Sequence, residues 1–304
     1  MELAYHYTTV ETFLKILDNS ICRNQGERLK DFIFWASSIY AMNDPQELLF
    51  GFNLLWDEGL PIIERELGIT SKDVNRVSNV WKGIEGKYKQ KELNERLIKS
   101  LYESHHVPFV VSFSKHEDSL PMWNTYSQNA SGICLGFKNY EYEIKYSKND
   151  LYDVIINNKL HALDVFYGTL GDTTMKVLKK LYQNCYENIQ KENDSNKKQR
   201  IKKDFLCTSA ITALAYIKHK AYEYESEARL IQFKKDESDV HLRCNANGRI
   251  IPFIEVPIKS EYLIKIVVGP SADYELINRE LSTKLKRFGL NVEIKKSSIP
   301  YINV

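Results

Sequence analysis

The strand-like segments of this chain do not alternate one for one with helices. Phe32–Ser38, Val107–Ser114, Gly132–Phe137, Leu163–Tyr167, Tyr222–Phe233, Ile250–Val256, Ile264–Val268 and Val292–Lys296 carry the apolar, β-branched and aromatic density of strands. The helical patterns gather instead in two long blocks, about 45–105 and 173–219, with shorter ones elsewhere. A doubly wound parallel sheet needs a regular βαβ order, which is missing. The expectation is therefore an α+β fold. The strand signals cluster at 107–137 and 222–296, which predicts split central β-sheets. No repeat and no long linker interrupts the 304 residues, so a single domain over 1–304 is expected, with the two helical blocks as insertions.

Local signals set the helix starts. Thr8 and Glu11 form a T-x-x-E capping box, and Val10, Phe13, Leu14 and Leu17 share one helix face. That places His6 in a loop two residues before the cap. Asp44-Pro45-Gln46-Glu47 reads as a second start, with Asp44 capping and Pro45 at the first helical position. Ser119 is expected to cap a short helix carrying Met122, Trp123 and Tyr126. The 173–219 block has a polar interruption at Glu192–Asn196.

Composition excludes several classes of function. Forty-two Lys+Arg stand against 40 Asp+Glu, and a net charge of +2 is too small for a surface that binds nucleic acid as a whole. The basic run Lys197, Lys198, Arg200, Lys202 and Lys203 is the local exception, read first as a solvated helix face. Five scattered cysteines with no C-x-x-C fit reduced thiols and offer no zinc spacing. No H-E-x-x-H occurs, so no metal is expected, and without G-x-G-x-x-G or G-x-x-x-x-G-K-S/T neither a Rossmann fingerprint nor a P-loop is available. No apolar run approaches the roughly 20 residues of a membrane span, and Met1–His6 does not open like a signal peptide. A cytoplasmic protein with no membrane partner is expected.

Two distant motifs carry the chemistry. His6 stands in Tyr5-His6-Tyr7-Thr8, and Glu225-Ser226-Glu227-Ala228-Arg229 lies far along the chain in a segment that reads as strand. Alternate strand residues share a face, so Glu225, Glu227 and Arg229 are expected together. Between these motifs lie M-N-D-P-Q-E at 42–47 and S-F-S-x4-S-L-P-M-W-x2-Y-S from Ser112 to Ser127. G-I-C-L-G-F at 132–137, I-V-V-G-P at 266–270 and the closing K-S-S-I-P-Y complete the series. In this order the motifs resemble a bacterial family known as domain of unknown function 2971. Their order also resembles the His-Tyr-Glu class of ADP-ribosyltransferases. That resemblance implies a single ADP-ribosyltransferase-like domain with NAD as substrate. It assigns His6, with Tyr7 and Thr8 of the same motif, to a ribose hydroxyl of NAD. It assigns Tyr126 to stacking on nicotinamide, a part for which Tyr7, Tyr40 and Tyr222 compete. Glu227 would orient the nicotinamide ribose, and Ser112 and Ser114 would stand for the S-T-S strand of related enzymes, from which S-F-S departs.

The chemistry explains the residue types. Cleaving the nicotinamide–ribose bond leaves a sugar cation, which a fixed carboxylate such as Glu227 stabilises. A flat ring, Tyr126 or Trp123, can hold nicotinamide. Glu225 can orient or deprotonate the acceptor. Arg229 can meet phosphate through its fork or neutralise Glu227. The expected function is transfer of ADP-ribose to a protein or nucleic-acid target, RNA or DNA, by a toxin or phage-defence effector with a possible antitoxin or immunity protein. With water as acceptor the same site is an NAD glycohydrolase. The alternative is an inactive binding module, in which E-x-E-x-R is only an ion-paired strand. Geometry separates them: catalysis needs His6, an aromatic ring and Glu227 in one cleft.

Overall fold

The computed structural model describes residues 3–24, 28–42, 47–77, 107–138, 162–206, 214–233, 237–244 and 248–301. The expected start at Asp44-Pro45 and about half of the 45–105 block, residues 78–105, lie outside them. The chain begins with strand β1 (Leu3–Thr8), helix α1 (Val10–Arg23) and strand β2 (Asp31–Ser38). Helices α2 (Glu47–Leu54) and α3 (Leu60–Glu66) follow, joined by a wider turn at Leu55–Gly59. Then come β3 (Pro108–Ser114), α4 (Leu120–Tyr126), β4 (Ile133–Lys138), the short strands β5 (Leu163–Asp164) and β6 (Phe166–Tyr167), and helices α5 (Asp172–Lys191) and α6 (Ser195–Asp204). The last third holds β7 (Ile217–Lys218), β8 (Glu227–Phe233), β9 (His241–Cys244), β10 (Ile250–Lys259), β11 (Leu263–Val268), α7 (Tyr274–Arg287) and β12 (Glu293–Lys296). The α+β class holds.

Three boundaries differ from the sequence reading, each for a local reason. Thr9, not Thr8, caps α1, its hydroxyl accepting from the Thr12 N–H at 3.0 Å. Thr8 ends β1, so His6 lies within a strand and not in a loop. The second block turns at residues 192–194, as expected, but Ile217–Lys218 is a strand, parallel to β6. Tyr222–Glu225 is not strand either. Lys220–Glu225 form a 3₁₀ turn, left-handed Ser226 (φ 41°) breaks the chain direction, and β8 starts at Glu227.

The strands do not form two separate central sheets. One ten-stranded sheet runs β12-β11-β4-β1-β3-β2-β10-β9, with β8 paired to β3 and β5 to β8, and β6-β7 form a small second sheet. Within the large sheet β3 is a branch point. β8 pairs with it along its whole length, from Pro108↔Phe233 to Ser114↔Glu227. β2 meets β3 only at Phe109 and Val110, and β1 meets it only at Ser114. Beside Val111–Phe113 neither strand is paired, so β1 and β2 part there and open a wedge.

Packing follows the patterns. β2 alternates, burying Phe32, Phe34, Ala36 and Ser38. Helix α1 covers that face with Phe13, Ile16 and Leu17, each worth roughly 1.5–3 kcal/mol of burial. The two helical blocks, expected as separate insertions, share one apolar cluster, in which Leu55, Leu60 and Ile63 meet Leu178, Tyr182 and Ile189. Two motif glycines permit close backbone approach: a Cβ on Gly132 would lie 2.3 Å from the Thr8 carbonyl, and one on Gly269 2.4 Å from that of Ala130. Among the described residues no helix is long and apolar enough to cross a membrane.

Candidate active site

A cavity of about 300 Å³ fills the wedge between β1 and β2. His6, Tyr7, Thr8, Ser112, Ser114, Tyr126, Glu225 and Glu227 all line it. Residues from opposite ends of the sequence therefore meet there, because β1 and β8 both border β3. Arg229 and Trp123 do not line it. Arg229 is fully buried behind Glu227. Trp123, expected as a possible stacking ring, is a core residue instead: its Nε1 donates to Asp118 at 2.7 Å and its ring meets Tyr7 edge-on. The preceding residue, Met122, reaches the cavity in its place.

His6 is held by three neighbours. Its Nδ1 lies 2.9 Å from the Ser112 carbonyl, which faces the unpaired gap in the sheet. A carbonyl only accepts, so Nδ1 carries the proton and Nε2 is left as an acceptor. The ring stands edge-on to Phe34 and Phe113. Burial lowers its pKa, opposed by the Ser112 bond and helped by nearby Arg243. The imidazole is thus neutral at pH 7. The unfolded chain, with an ordinary His pKa of about 6.5, takes up a proton first as pH falls. His6 therefore costs no stability above that pH and subtracts stability below it. His6→Phe keeps the ring and deletes the titration. Urea unfolding of both proteins is expected to show wild type losing more stability than the variant between pH 7.5 and 5.5. A constant difference would contradict a half-buried His6 kept neutral by its surroundings.

Glu225, Glu227, Lys218 and Arg229 form a buried quartet, none more than 4% exposed. Arg229 grips Glu227 with both prongs, Nε to Oε1 at 2.9 Å and Nη2 to Oε2 at 2.8 Å. Its Nη1 donates to the Ala215 carbonyl at 2.5 Å. Lys218 bridges the two acids, 2.6 Å from Glu225 and 3.1 Å from Glu227. The Tyr126 hydroxyl donates to Glu225 Oε1 at 2.7 Å. Two carboxylates and two cations balance to zero charge, which lets them sit together away from water. Burial pushes the Glu227 carboxyl up from the usual carboxylate range, and Lys218 pulls against it. Desolvation alone would lower Lys218, but the two acids raise it further than burial lowers it. Tyr126 is raised by burial and by Glu225, so its phenol stays protonated.

The backbone positions the acids. The Ser114 hydroxyl donates to the Glu225 carbonyl at 2.7 Å, and the Glu227 N–H donates to the Tyr167 hydroxyl at 2.6 Å. Left-handed Ser226 lets two carboxylates from different elements converge on one ammonium, where a strand alone was expected to align them. The Ser112 hydroxyl lies near Glu227 but forms no hydrogen bond of regular geometry. Sequence reasoning missed Lys218 and Tyr167. Lys218 sits in a stretch dense with polar residues, Lys218-His219-Lys220, and reads as solvated. Its pairing became visible only when β7 joined β6.

The basic run on α6 is not a uniform patch. Lys202 turns inward and donates to the Val74 carbonyl at 3.0 Å. Among the described residues no group of His, Cys, Asp and Glu could hold a metal ion. Cys22, Cys134, Cys185 and Cys244 are free thiols.

No curated protein matches this chain. No solved structure matches it either. A family model described as a protein of unknown function (DUF2971) does, over residues 122–230, which supports the family resemblance read from the motifs. That matched stretch runs from within α4 into β8 and so contains Tyr126 and the whole charged quartet, whereas His6 lies outside it.

Proposed function

We propose that this chain cleaves the nicotinamide–ribose bond of NAD and passes ADP-ribose to a macromolecular acceptor. One observation carries the reading: His6, Tyr126, Glu225 and Glu227 line a single cavity although they span more than two hundred residues of sequence. In this reading the free Nε2 of His6 accepts a ribose hydroxyl. Glu227, fixed by Arg229, faces the developing sugar cation, and no proton donor is needed because nicotinamide leaves readily. Glu225, tied to Tyr126 and Lys218, takes the acceptor's proton through a short shift within the quartet. A cavity of about 300 Å³ lies at the small end of ligand pockets, so it takes part of the dinucleotide and leaves the rest at its mouth. Acceptor, antitoxin or immunity partner and a cytoplasmic toxin or phage-defence setting belong to the same proposal. Water as acceptor gives the glycohydrolase version.

A second reading has an observation of its own. Both Glu227 oxygens are taken by cations, so the quartet can serve only to lock β8 to β7 in a protein that binds ligands without cleaving them. His6→Phe tests the first reading at the binding step. It keeps the packing against Phe34 and Phe113 and deletes the acceptor nitrogen. Calorimetry is expected to show NAD affinity reduced roughly tenfold, the scale of one well-placed hydrogen bond. Unchanged affinity in the folded variant would remove His6 from the site.

A further inference from the structure

Among the described residues that line it, the cavity holds one charge that the quartet does not balance. Arg243, on β9, lines it from the β2-β10-β9 arm of the fork, whereas the carboxylates come from the β8 side. The Arg243 guanidinium lies over the Trp35 ring, 5.8 Å from its centroid. Its Nη2 donates to the Ser37 hydroxyl at 2.9 Å, and its Nε is buried with no hydrogen-bond partner. No carboxylate pairs with it among the described residues. Every other cation at this cavity has an acid: Lys218 is paired twice, and Arg229 behind it is paired through its fork. A half-buried arginine kept without a counter-ion, its charge reaching His6, leaves one wall of the cavity electropositive.

We propose that Arg243 binds a phosphate group of the ligand, with Ser37 orienting the guanidinium and Trp35 offering a flat face to the sugar or base attached. Planar guanidinium forks suit phosphate and carboxylate oxygens alike. The choice of phosphate rests on the NAD-cleaving reading above. The ligand would then bridge the fork, its phosphate on one arm and its scissile ribose at the acids of the other.

The test is calorimetry on the whole chain with inorganic pyrophosphate, ADP, nicotinamide riboside and succinate. Wild type is expected to bind pyrophosphate and ADP. Arg243→Gln is expected to weaken both on the order of tenfold, while nicotinamide riboside, which has no phosphate, changes less than about twofold. Arg243→Lys, which keeps the charge and loses the fork, is expected between the two. The proposal is overturned if wild type binds neither phosphate compound, if Arg243→Gln binds them as wild type does, or if succinate binds as tightly as pyrophosphate. Should Arg243→Gln fail to fold, the wild-type titrations and Arg243→Lys still decide. NAD cleavage by a protein whose ADP affinity ignores Arg243 would sink the phosphate site and spare the catalytic reading. ADP affinity that depends on Arg243 in a protein that never cleaves NAD would do the reverse.

Discussion

Replacing Lys218 by methionine is expected to destabilise the protein by about 3–5 kcal/mol, the scale of breaking a buried ion pair from one side. The residue is 4% exposed, and its ammonium bridges Glu225 and Glu227. Methionine matches it in length, so little packing is lost. What remains is two buried carboxylates facing one guanidinium. The urea midpoint should fall accordingly, with the slope unchanged. The shortfall should narrow as pH drops. Without Lys218 a carboxyl of the pair has its pKa raised in the folded state, so folding takes up a proton and gains stability on acidification. A loss under about 1 kcal/mol, independent of pH, would mean that the quartet is not the electrostatic unit described here.

Glu227→Gln is expected to lower the rate of NAD cleavage by about 10²–10³, the scale of a single fixed electrostatic contact to a developing charge. The exchange keeps size and removes the charge. It also carries a structural cost, because Gln leaves Lys218 and Arg229 against Glu225 alone and turns an amide N–H₂ toward a cation. A stability loss of a few kcal/mol should accompany the loss of rate. Turnover must therefore be scored per folded molecule, at a temperature where both proteins are native. A full rate per folded molecule, with a lowered melting temperature, would make Glu227 a clamp for β8 and favour the binding-module reading. Glu225→Gln should impair transfer to an acceptor more than hydrolysis of NAD.

The parts of this fold that were legible in the sequence are those set by near neighbours. The strand character of Phe32–Ser38 and Val107–Ser114, the turn at 192–194 and the amphipathic α7 follow from periodicity and turn chemistry, and all are found. The errors arise where tertiary pairing overrides local pattern. Thr8 and Thr9 are both able to cap α1, and β4 takes Thr8 into the sheet through its pairing with Ile133. Ile217–Lys218 continues a helical pattern but is claimed by β6. Tyr222–Glu225 has strand composition, yet Ser114 and Tyr126 hold Glu225 at the end of a 3₁₀ turn. The site divides the same way. His6, Glu225 and Glu227 stood out by motif, and the structure brings them to one cavity. Lys218 and Arg243 did not stand out, because a cation's burial and the presence or absence of its counter-ion depend on strands remote in sequence.

Release of nicotinamide from labelled NAD by the purified protein, with and without cell lysate, tests the central claim most directly. The account predicts release by wild type, transfer of label to a macromolecule when lysate is present, and the loss of both in Glu227→Gln. Neither release nor NAD binding by a folded wild-type protein, under either condition, would contradict it.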